Sequence, residues 1–384
     1  MSSPSLLILL AAGGTGGHLF PALALAEELG HRGWAVDLAT DGRGARYGAD
    51  FPARKIHEVS SATLGGLSPA AVTRTALTLS RGVWEAYRLL GSIRPAAVVG
   101  FGGYPSFPPI MAARMRRTPT ALHEQNAVLG RANRMLAKRV DLIATSFETT
   151  AYLAGPLLAK ARLTGNPVRA AVLVAAETPY RPPFPGEPFS LVVFGGSQGA
   201  RFFSDVVPPA LARLPVAVRK RLHVIQQARE EDVERVASAY DRTGIWARIA
   251  PFFADLPELM ARAQLVVGRS GASSVAELSA LGRPSILVPL PHAVDNDQLR
   301  NARELANAGG AWCIEQKDLD SARLAAEVER LMRDPRPLAT AAAAAKSQGR
   351  LDAVARLADV VEALAERRRP GGASAAGPTK ASVP

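Results

Sequence analysis

The sequence has a single cysteine, few aromatic residues and no long hydrophobic run, and each scarcity excludes a class of protein. Cys313 alone forms neither an intrachain disulfide nor a cysteine-rich zinc site, which favours a reducing compartment. Aromatic residues make up 6% of the chain and no zinc-finger or RNA-recognition signature occurs, so no nucleic-acid partner is expected. The early apolar run at 6–12 is far shorter than the ~20 residues that span a bilayer. No Lys or Arg precedes it, so we expect a buried strand rather than a signal peptide.

Positive charge is concentrated in the first half of the chain. The 384 residues carry a formal net charge of +12, and their number favours two domains. Residues 1–170 hold 19 basic and 10 acidic side chains. This excess predicts an anionic partner, which would be a phosphorylated ligand or an anionic membrane surface.

One pattern, a buried strand followed by a glycine-rich turn and a helix, opens both halves of the chain. Its strands are Leu6–Ala11 and Ser190–Phe194, and five prolines between 177 and 188 predict a linker between the halves. Alternating strands and helices predict the α/β class with a doubly wound parallel sheet in each domain. The predicted boundaries are 1–176 and 189–350 for the domains, 177–188 for the linker, 351–368 for a last helix and 369–384 for a disordered tail. Further predicted elements are the strands Trp34–Ala39, Ala96–Val99, Leu142–Thr145, Gln264–Val267 and Pro284–Leu290, and the helices Asn126–Val140 and 338–345.

Three glycine- or serine-rich turns, at 13–17, 195–199 and 269–274, suit phosphate binding, because small residues let the backbone approach an anion at a helix N-terminus. They predict a phosphorylated ligand between the domains. A nicotinamide dinucleotide is the rival, with Asp37 or Asp41 as its acidic residue, although the third glycine of that fingerprint is missing. The Walker A pattern is absent.

Individual polar residues in these segments allow two interpretations each. His18, where the first turn meets its helix, is either a general base or a histidine that only caps or orients. Glu277 is either an exposed helical glutamate or a carboxylate that accepts ribose hydroxyls. Asp295 and Asp297 resemble a metal–diphosphate motif, but no neighbouring carboxylate or metal-type histidine spacing supports a metal, and we expect none.

The stretch 63–93 mixes arginines with large apolar residues and contains one acid, Glu85. It predicts an amphipathic helix that packs its apolar face in the core. Alternatively, Leu77, Leu79 and Trp84 form an apolar patch, rimmed with arginine, that sits on an anionic bilayer.

Taken together in order, the motifs resemble those of the MurG family of peptidoglycan N-acetylglucosaminyltransferases, part of glycosyltransferase family 28. The matching segments, within about residues 5–365, are Gly13–Pro21, Gly100–Ser106, His123–Asn126, Gly165–Arg169, Gly195–Ala200, Arg269–Ala272 with Glu277, Asp295–Gln298 and Asn301–Ala302. The constellation is far more specific than any single turn in it.

The resemblance implies a GT-B fold, in which two Rossmann-like domains face each other across a cleft and the last helix returns to the first domain. It implies transfer of N-acetylglucosamine from UDP-N-acetylglucosamine (UDP-GlcNAc) to lipid I, undecaprenyl-pyrophosphoryl-MurNAc-pentapeptide, which gives lipid II with inversion. It implies no cofactor or metal, a peripheral location at the cytoplasmic face of the bacterial plasma membrane, and partners among cell-wall synthesis proteins. Another GT-B UDP-sugar transferase with a different lipid acceptor, or a non-catalytic nucleotide-sugar-binding protein, stays open.

The resemblance also implies a role for individual residues. His18 would be the base. Phe253 would present backbone to uracil, Glu277 would bind ribose, and Gln298 would touch the sugar. The expected donor-binding set is Thr15, Gly16, Gly17, Asn126, Arg169, Ser197, Phe253, Ala272, Ser273, Ser274, Val275, Ala276, Glu277 and Gln298. The acceptor or membrane set is Gly103, Tyr104, Leu77, Leu79 and Trp84. Asp297 departs from the family pattern, which often has histidine there, so its contact is not assigned.

Overall fold

The computed structural model describes residues 6–13, 16–42, 51–62, 68–184, 186–196 and 199–366. The predictions for Thr15, Ser197 and the tail at 369–384 lie outside these residues, as do the last two positions of the helix expected at 351–368.

The first domain is built on a parallel sheet of seven strands. Its strands are β1 Leu7–Ala11, β2 Ala35–Thr40, β3 Lys55–Glu58, β4 Ala97–Gly100, β5 Thr120–Glu124, β6 Leu142–Thr145 and β7 Ala161–Leu163. Its helices are α1 Gly16–His31, α2 Pro69–Ile93, α3 Phe107–Met115 and α4 Arg131–Ala137. The next helix, α5 Ala170–Ala175, packs on the second domain, in the core layer that contains Val192 and Phe194. The strand order is β3-β2-β1-β4-β5-β6-β7, so the winding direction reverses between β1 and β4.

The second domain repeats this plan with six parallel strands. They are β8 Phe189–Phe194, β9 Leu222–Gln227, β10 Trp246–Ala250, β11 Leu265–Gly268, β12 Ser285–Leu287 and β13 Ala311–Cys313, in the order β10-β9-β8-β11-β12-β13. The helices are α6 Arg201–Ala212, α7 Val216–Arg219, α8 Val233–Asp241, α9 Leu256–Arg262, α10 Ala272–Leu281, α11 Asp297–Asn307, α12 Ser321–Arg333, α13 Arg336–Gln348 and α14 Ala353–Glu366. The prediction of two doubly wound parallel sheets is confirmed.

Hydrophobic burial on both faces of each sheet explains the continuously apolar strands. In β1, Ile8 and Leu10 point into one layer of core while Leu9 and Ala11 point into the other, as the two-residue period of a strand requires. A strand with only one apolar face would leave one of these layers without its central contacts.

The last helix, α14, packs on the first domain rather than on the domain that precedes it. Leu357, Val361 and Leu364 lie in the same core layer as β1 and α1. At the edge of that contact, Arg32, the residue after α1, donates to Asp359 at 2.6 Å and to Glu362 at 2.7 Å. The chain therefore crosses between the domains twice.

The helix predicted over 126–140 is shorter in the structure, where α4 covers only Arg131–Ala137. The cause is the buried carboxylate of Glu124, which accepts from the backbone N–H of Asn126 at 3.0 Å and from that of Gly130 at 2.8 Å. These bonds satisfy the backbone outside a helix, so residues 126–130 form a loop at the end of β5.

Candidate active site

Three loops of the first domain meet where its sheet reverses direction. They follow the carboxyl ends of β1, β4 and β5, which is where open α/β sheets bind ligands. The first carries His18, in the opening turn of α1. The second contains Gly102 and Gly103, both with positive φ. The third contains Gln125 and Asn126.

His18 is held deep in this junction by one side-chain partner. Its Nδ1 lies 3.0 Å from Oε1 of Gln125, a side chain that is itself buried. Burial lowers the pKa of His18 below its usual value, although hydrogen bonds to Gln125 and to the Phe101 backbone and the charge of Asp297 oppose the shift. A histidine in this state is neutral at physiological pH, as a general base must be before it takes a proton.

Two turns of the second domain lead into helices, and the first of them has a closely packed backbone. A Cβ on Gly195 would overlap the backbone nitrogen of Ala200, so only glycine allows this turn after β8. After β11, helix α10 begins at Ala272, and its N-cap residue Gly271 supplies no side-chain cap. The first N–H groups of α10, in the segment 272–274, therefore keep their capacity to bind an anion.

Arg169 and Glu277, both expected at the donor, form a two-pronged ion pair. Arg169 is the N-cap residue of α5, whose Val172 packs in the core of the second domain, so the pair lies on the second-domain side of the cleft. Arg169 Nε lies 2.9 Å from one carboxylate oxygen and its Nη2 lies 3.0 Å from the other. The Glu277 side chain is 10% exposed and that of Arg169 is 37% exposed. Burial raises the pKa of Glu277, and the Arg169 guanidinium opposes this. The interpretation of Glu277 as an exposed helical glutamate is wrong.

Asn301 makes a contact across the cleft, with Asn126 and Ala127 of the first domain. Its Oδ1 accepts from the backbone N–H of Ala127 at 2.8 Å, and its Nδ2 donates to Oδ1 of Asn126 at 3.0 Å and to the carbonyl of Ser270 at 3.2 Å. Asn301 is fully buried. Its signals in the sequence are the family-matching segment Asn301–Ala302 and its position one helical turn after Asp297, on the same face of α11.

The two aspartates near the start of α11, Asp295 and Asp297, have different partners. Asp295 pairs with Arg134 of the first domain at 2.6 Å. Asp297 accepts from the backbone N–H of Gln298 at 2.7 Å, and burial raises its pKa, with Asp295 adding to the effect. Among the described residues, no group of three or more histidine, cysteine or acidic side chains is arranged to hold a metal ion.

Gln298 and Phe253 use their side chains within the second domain. Gln298 Oε1 accepts from the backbone N–H of Leu290 at 3.0 Å, and its carbonyl accepts from the Ser270 hydroxyl at 2.8 Å. Phe253 is buried in the core layer that contains Val266 and Leu287, so its backbone is the part that a ligand can reach. The donor contacts expected of both residues stay predictions.

Helix α10 divides the other expected donor residues between two faces. Ala272, Val275 and Ala276 line a cavity of about 140 Å³, shared with Gly165 and Asn166, whereas Glu277 points to the opposite side of the helix towards Arg169. Ser273 and Ser274 lie in the first turn of α10.

Asp37, the acidic residue that a dinucleotide would need, is already engaged. It lies within β2, fully buried, and receives both prongs of Arg54 at 2.9 and 3.0 Å and a contact from His57 at 2.8 Å. This arrangement leaves it unsuited to bind ribose hydroxyls.

Helix α2 exposes its large apolar side chains and buries small ones. Leu77 is 67% exposed and Trp84 is 58% exposed, whereas the buried positions are Thr75, Gly82, Ala86 and Leu90. Leu79 is half-buried. The prediction that the apolar face of this helix packs in the core therefore fails for its largest residues. No helix in the described part of the chain has the length and hydrophobicity to cross a bilayer.

Two family models match the chain in consecutive order. The glycosyltransferase family 28 N-terminal domain matches residues 8–145, and the C-terminal domain matches residues 190–357. The chain belongs to glycosyltransferase family 28. In this chain, each matched range contains most of one of the two sheets described above.

Relatives match over nearly the whole chain. A protein of Rhodopseudomonas palustris is 55% identical over 361 residues, which covers 94% of this chain and 98% of the relative. A protein of Mesorhizobium japonicum is 54% identical over 365 residues, covering 94% and 96%. Both are named UDP-N-acetylglucosamine--N-acetylmuramyl-(pentapeptide) pyrophosphoryl-undecaprenol N-acetylglucosamine transferase. The crystal structure of Acinetobacter baumannii MurG has a TM-score of 0.78 at 27% identity and covers 93% of this chain and 99% of that one. The expected GT-B fold is confirmed.

Proposed function

We propose that this glycosyltransferase moves N-acetylglucosamine from UDP-GlcNAc to the C4 hydroxyl of MurNAc in lipid I, giving lipid II and UDP with inversion. The observation that carries the proposal is the identity of more than half of the residues, over 94% of the chain, with relatives named for this transfer. The chemistry of the cleft supports it, because a half-buried histidine with a lowered pKa faces a domain whose helix N-termini suit a diphosphate.

The donor is held mainly by the second domain. The free N–H groups at the start of α10, with the turn after β8 and its Ser197, bind the diphosphate, and the Glu277 carboxylate accepts from the ribose hydroxyls. Phe253 offers backbone to the uracil, and Gln298 contacts the hydroxyls of the sugar. Arg169, paired with Glu277, contributes from the start of α5. Asn126, which contacts Asn301 of the second domain, completes the site from the first domain together with Thr15, Gly16 and Gly17.

The transfer is a single displacement in which His18 acts as the base. The C4 oxygen of the acceptor attacks the anomeric carbon of GlcNAc from the face opposite UDP, and its proton passes to the imidazole. The bond between the anomeric carbon and the phosphate oxygen breaks as the new bond forms, so the configuration inverts. Helix N-termini stabilise the charge that develops on the leaving diphosphate. Gly103 and Tyr104, beside His18, lie on the acceptor side.

The exposed face of α2 docks on the membrane that carries the lipid acceptor. Leu77 and Trp84 supply apolar area, and Arg88 stacks over the Trp84 ring at 4.9 Å, so charge and apolar surface lie side by side. Apolar burial combined with attraction to anionic lipids is how interfacial helices bind. This association is peripheral, at the cytoplasmic face.

The deciding experiment is transfer of radiolabelled GlcNAc from UDP-GlcNAc to a lipid I analogue, with EDTA present. Labelled product of the expected mass supports the donor, the acceptor and the absence of a metal requirement together. UDP-GalNAc serves as the matched donor control and should give much less product. Absence of product, with UDP-GlcNAc still bound, contradicts the proposed acceptor.

A further inference from the structure

A buried network behind His18 fixes the orientation of a neighbouring amide. The NH2 group of Gln125 lies 3.0 Å from the carbonyl of Phe101 and 3.1 Å from the carbonyl of His123. Carbonyl oxygens only accept hydrogen bonds, so the nitrogen end of the amide must face them and the oxygen end must face His18. The reversed amide would bring its oxygen against two carbonyl oxygens.

The ring of His123 supports the same orientation. Its Nε2 lies 3.0 Å from the carbonyl of Gly165 and therefore carries the hydrogen, while its Nδ1 lies 3.0 Å from the Gln125 nitrogen and accepts from it. Burial lowers the pKa of His123 to about 4, so the ring is neutral at physiological pH and keeps this acceptor. Three acceptors thus hold the Gln125 amide in one direction.

The orientation of the Gln125 amide determines which nitrogen of His18 carries the hydrogen. The Gln125 Oε1 that faces His18 Nδ1 at 3.0 Å can only accept, so Nδ1 carries the hydrogen and Nε2 keeps its lone pair. The geometry points to Gln125 as a positioning residue that holds His18 in the Nδ1–H tautomer, so that Nε2 is the atom that takes the acceptor proton. This inference rests on the proposed role of His18 as the base.

The surroundings of Nε2 suit that role. A Cβ on Gly103 would lie 3.5 Å from Nε2 and 3.4 Å from the adjacent ring carbon, whereas a Cβ on Gly102 would lie near Nδ1. The missing side chain at Gly103 therefore leaves space beside Nε2, the nitrogen with the free lone pair.

The first test measures the tautomer itself, in the full-length wild-type protein without substrates. Two-bond proton–nitrogen correlation spectra of ¹⁵N-histidine protein distinguish the two neutral tautomers, and the His18 signals are identified by their loss in His18→Gln. The Nδ1–H pattern supports the inference. The Nε2–H pattern overturns it, whether or not the enzyme transfers GlcNAc to lipid I. Failure of transfer in the wild type would instead contradict the proposed function alone.

The second test compares two replacements of Gln125 that have similar size. Gln125→Met removes the acceptor from Nδ1, and we expect kcat to fall about 10- to 100-fold while KM for UDP-GlcNAc changes less than threefold. Gln125→Glu keeps an oxygen acceptor at Nδ1, but its second oxygen faces the two carbonyl oxygens and must carry a proton, so this variant should retain more of kcat than Gln125→Met. The acidic limb of kcat/KM should move to lower pH in Gln125→Met, since a hydrogen bond that favours the imidazolium is lost, and should stay near its wild-type position in Gln125→Glu.

Gln348→Met makes the same chemical change at an exposed position at the end of α13 and is the matched control. Thermal unfolding checks that each variant folds. If Gln125→Met does not fold, the wild-type spectrum decides. Equal kcat losses in the methionine and glutamate variants, or unshifted acidic limbs in both, would overturn the assignment.

Discussion

Removal of Arg169 should lower the stability of the protein more than removal of its partner, Glu277. The Glu277 carboxylate is 10% exposed, so Arg169→Met leaves a buried charge without a cation, which costs about 3 kcal/mol of unfolding free energy. The Arg169 side chain is 37% exposed, so in Glu277→Gln water can solvate the guanidinium, and we expect a cost of about 1 kcal/mol. The double variant should lose less than the sum of the two single losses.

The unfolding free energy of Arg169→Met should depend on pH, because the variant keeps the buried carboxyl group of Glu277 without its cation. Burial already raises the pKa of Glu277, and removal of the guanidinium raises it further. The folded state then binds a proton more tightly than the unfolded state, so the unfolding free energy of the variant increases as the pH falls towards the usual glutamate range. The loss of unfolding free energy in Arg169→Met, relative to the wild type, should therefore become smaller as the pH falls from 8 to 5. The loss in Glu277→Gln should not become smaller over this range.

Urea unfolding followed by the fluorescence of the four tryptophans measures these differences at each pH. Binding of UDP-GlcNAc, followed by calorimetry, gives the functional arm, in which Glu277→Ala should weaken donor binding. Equal stability losses for Arg169→Met and Glu277→Gln, with no difference in pH dependence, would refute the reasoning from exposure.

Four further predictions concern the base, the pH range, the membrane face and the domain contact. His18→Gln should lower kcat about 10²- to 10⁴-fold with little change in KM for the donor, and steady-state transfer assays that find kcat unchanged would contradict its role. The acidic limb of kcat/KM in the wild type should have an apparent pKa below 6.5, because burial disfavours the imidazolium of His18; a limb above that value would argue against His18. Trp84→Asp should reduce co-sedimentation with anionic phospholipid vesicles, whereas Trp246→Asp, at an equally exposed tryptophan of the second domain, should not, and equal effects would remove the assignment of α2. Asn301→Ala should lower the unfolding free energy by about 1–3 kcal/mol, because it leaves the Ala127 N–H buried without its acceptor. Asn307→Ala, on the exposed end of the same helix, should change the unfolding free energy little. Similar losses in both variants would show that the buried contact is not the cause.

The order of the elements was predictable because it depends on local chemistry. Strands that are buried on both faces have unbroken runs of apolar residues. The turns that follow β1 and β8 are rich in glycine, so the end of each strand is marked by a change in both apolar pattern and composition. Those turns also located the ligand-binding edge of each sheet before the topology was known. His18 was recognisable for the same reason, since it follows such a turn.

The length of α4 was not predictable from its apolar spacing, which continues through 126–140. The competing interaction comes from Glu124, whose carboxylate binds two backbone N–H groups of that segment. Similarly, the apolar spacing of α2 predicts a buried face, but three of its four buried positions hold the small residues Thr75, Gly82 and Ala86, while Leu77 and Trp84 face outward. Periodicity indicates which residues share a face of a helix, but it does not indicate whether that face has a partner.

The contacts that shape the cleft were beyond sequence reasoning because each joins residues more than a hundred positions apart. Arg169 and Glu277 were each assigned to the donor, yet nothing in their spacing indicated that they bind each other. Their pairing matters for the reaction, because a carboxylate has about four acceptor positions and Arg169 uses two of them, one on each oxygen. Ribose hydroxyls can then bind at the remaining positions of Glu277 without displacing Arg169. A donor held in this way would be bound by a carboxylate whose orientation Arg169 fixes through both oxygens.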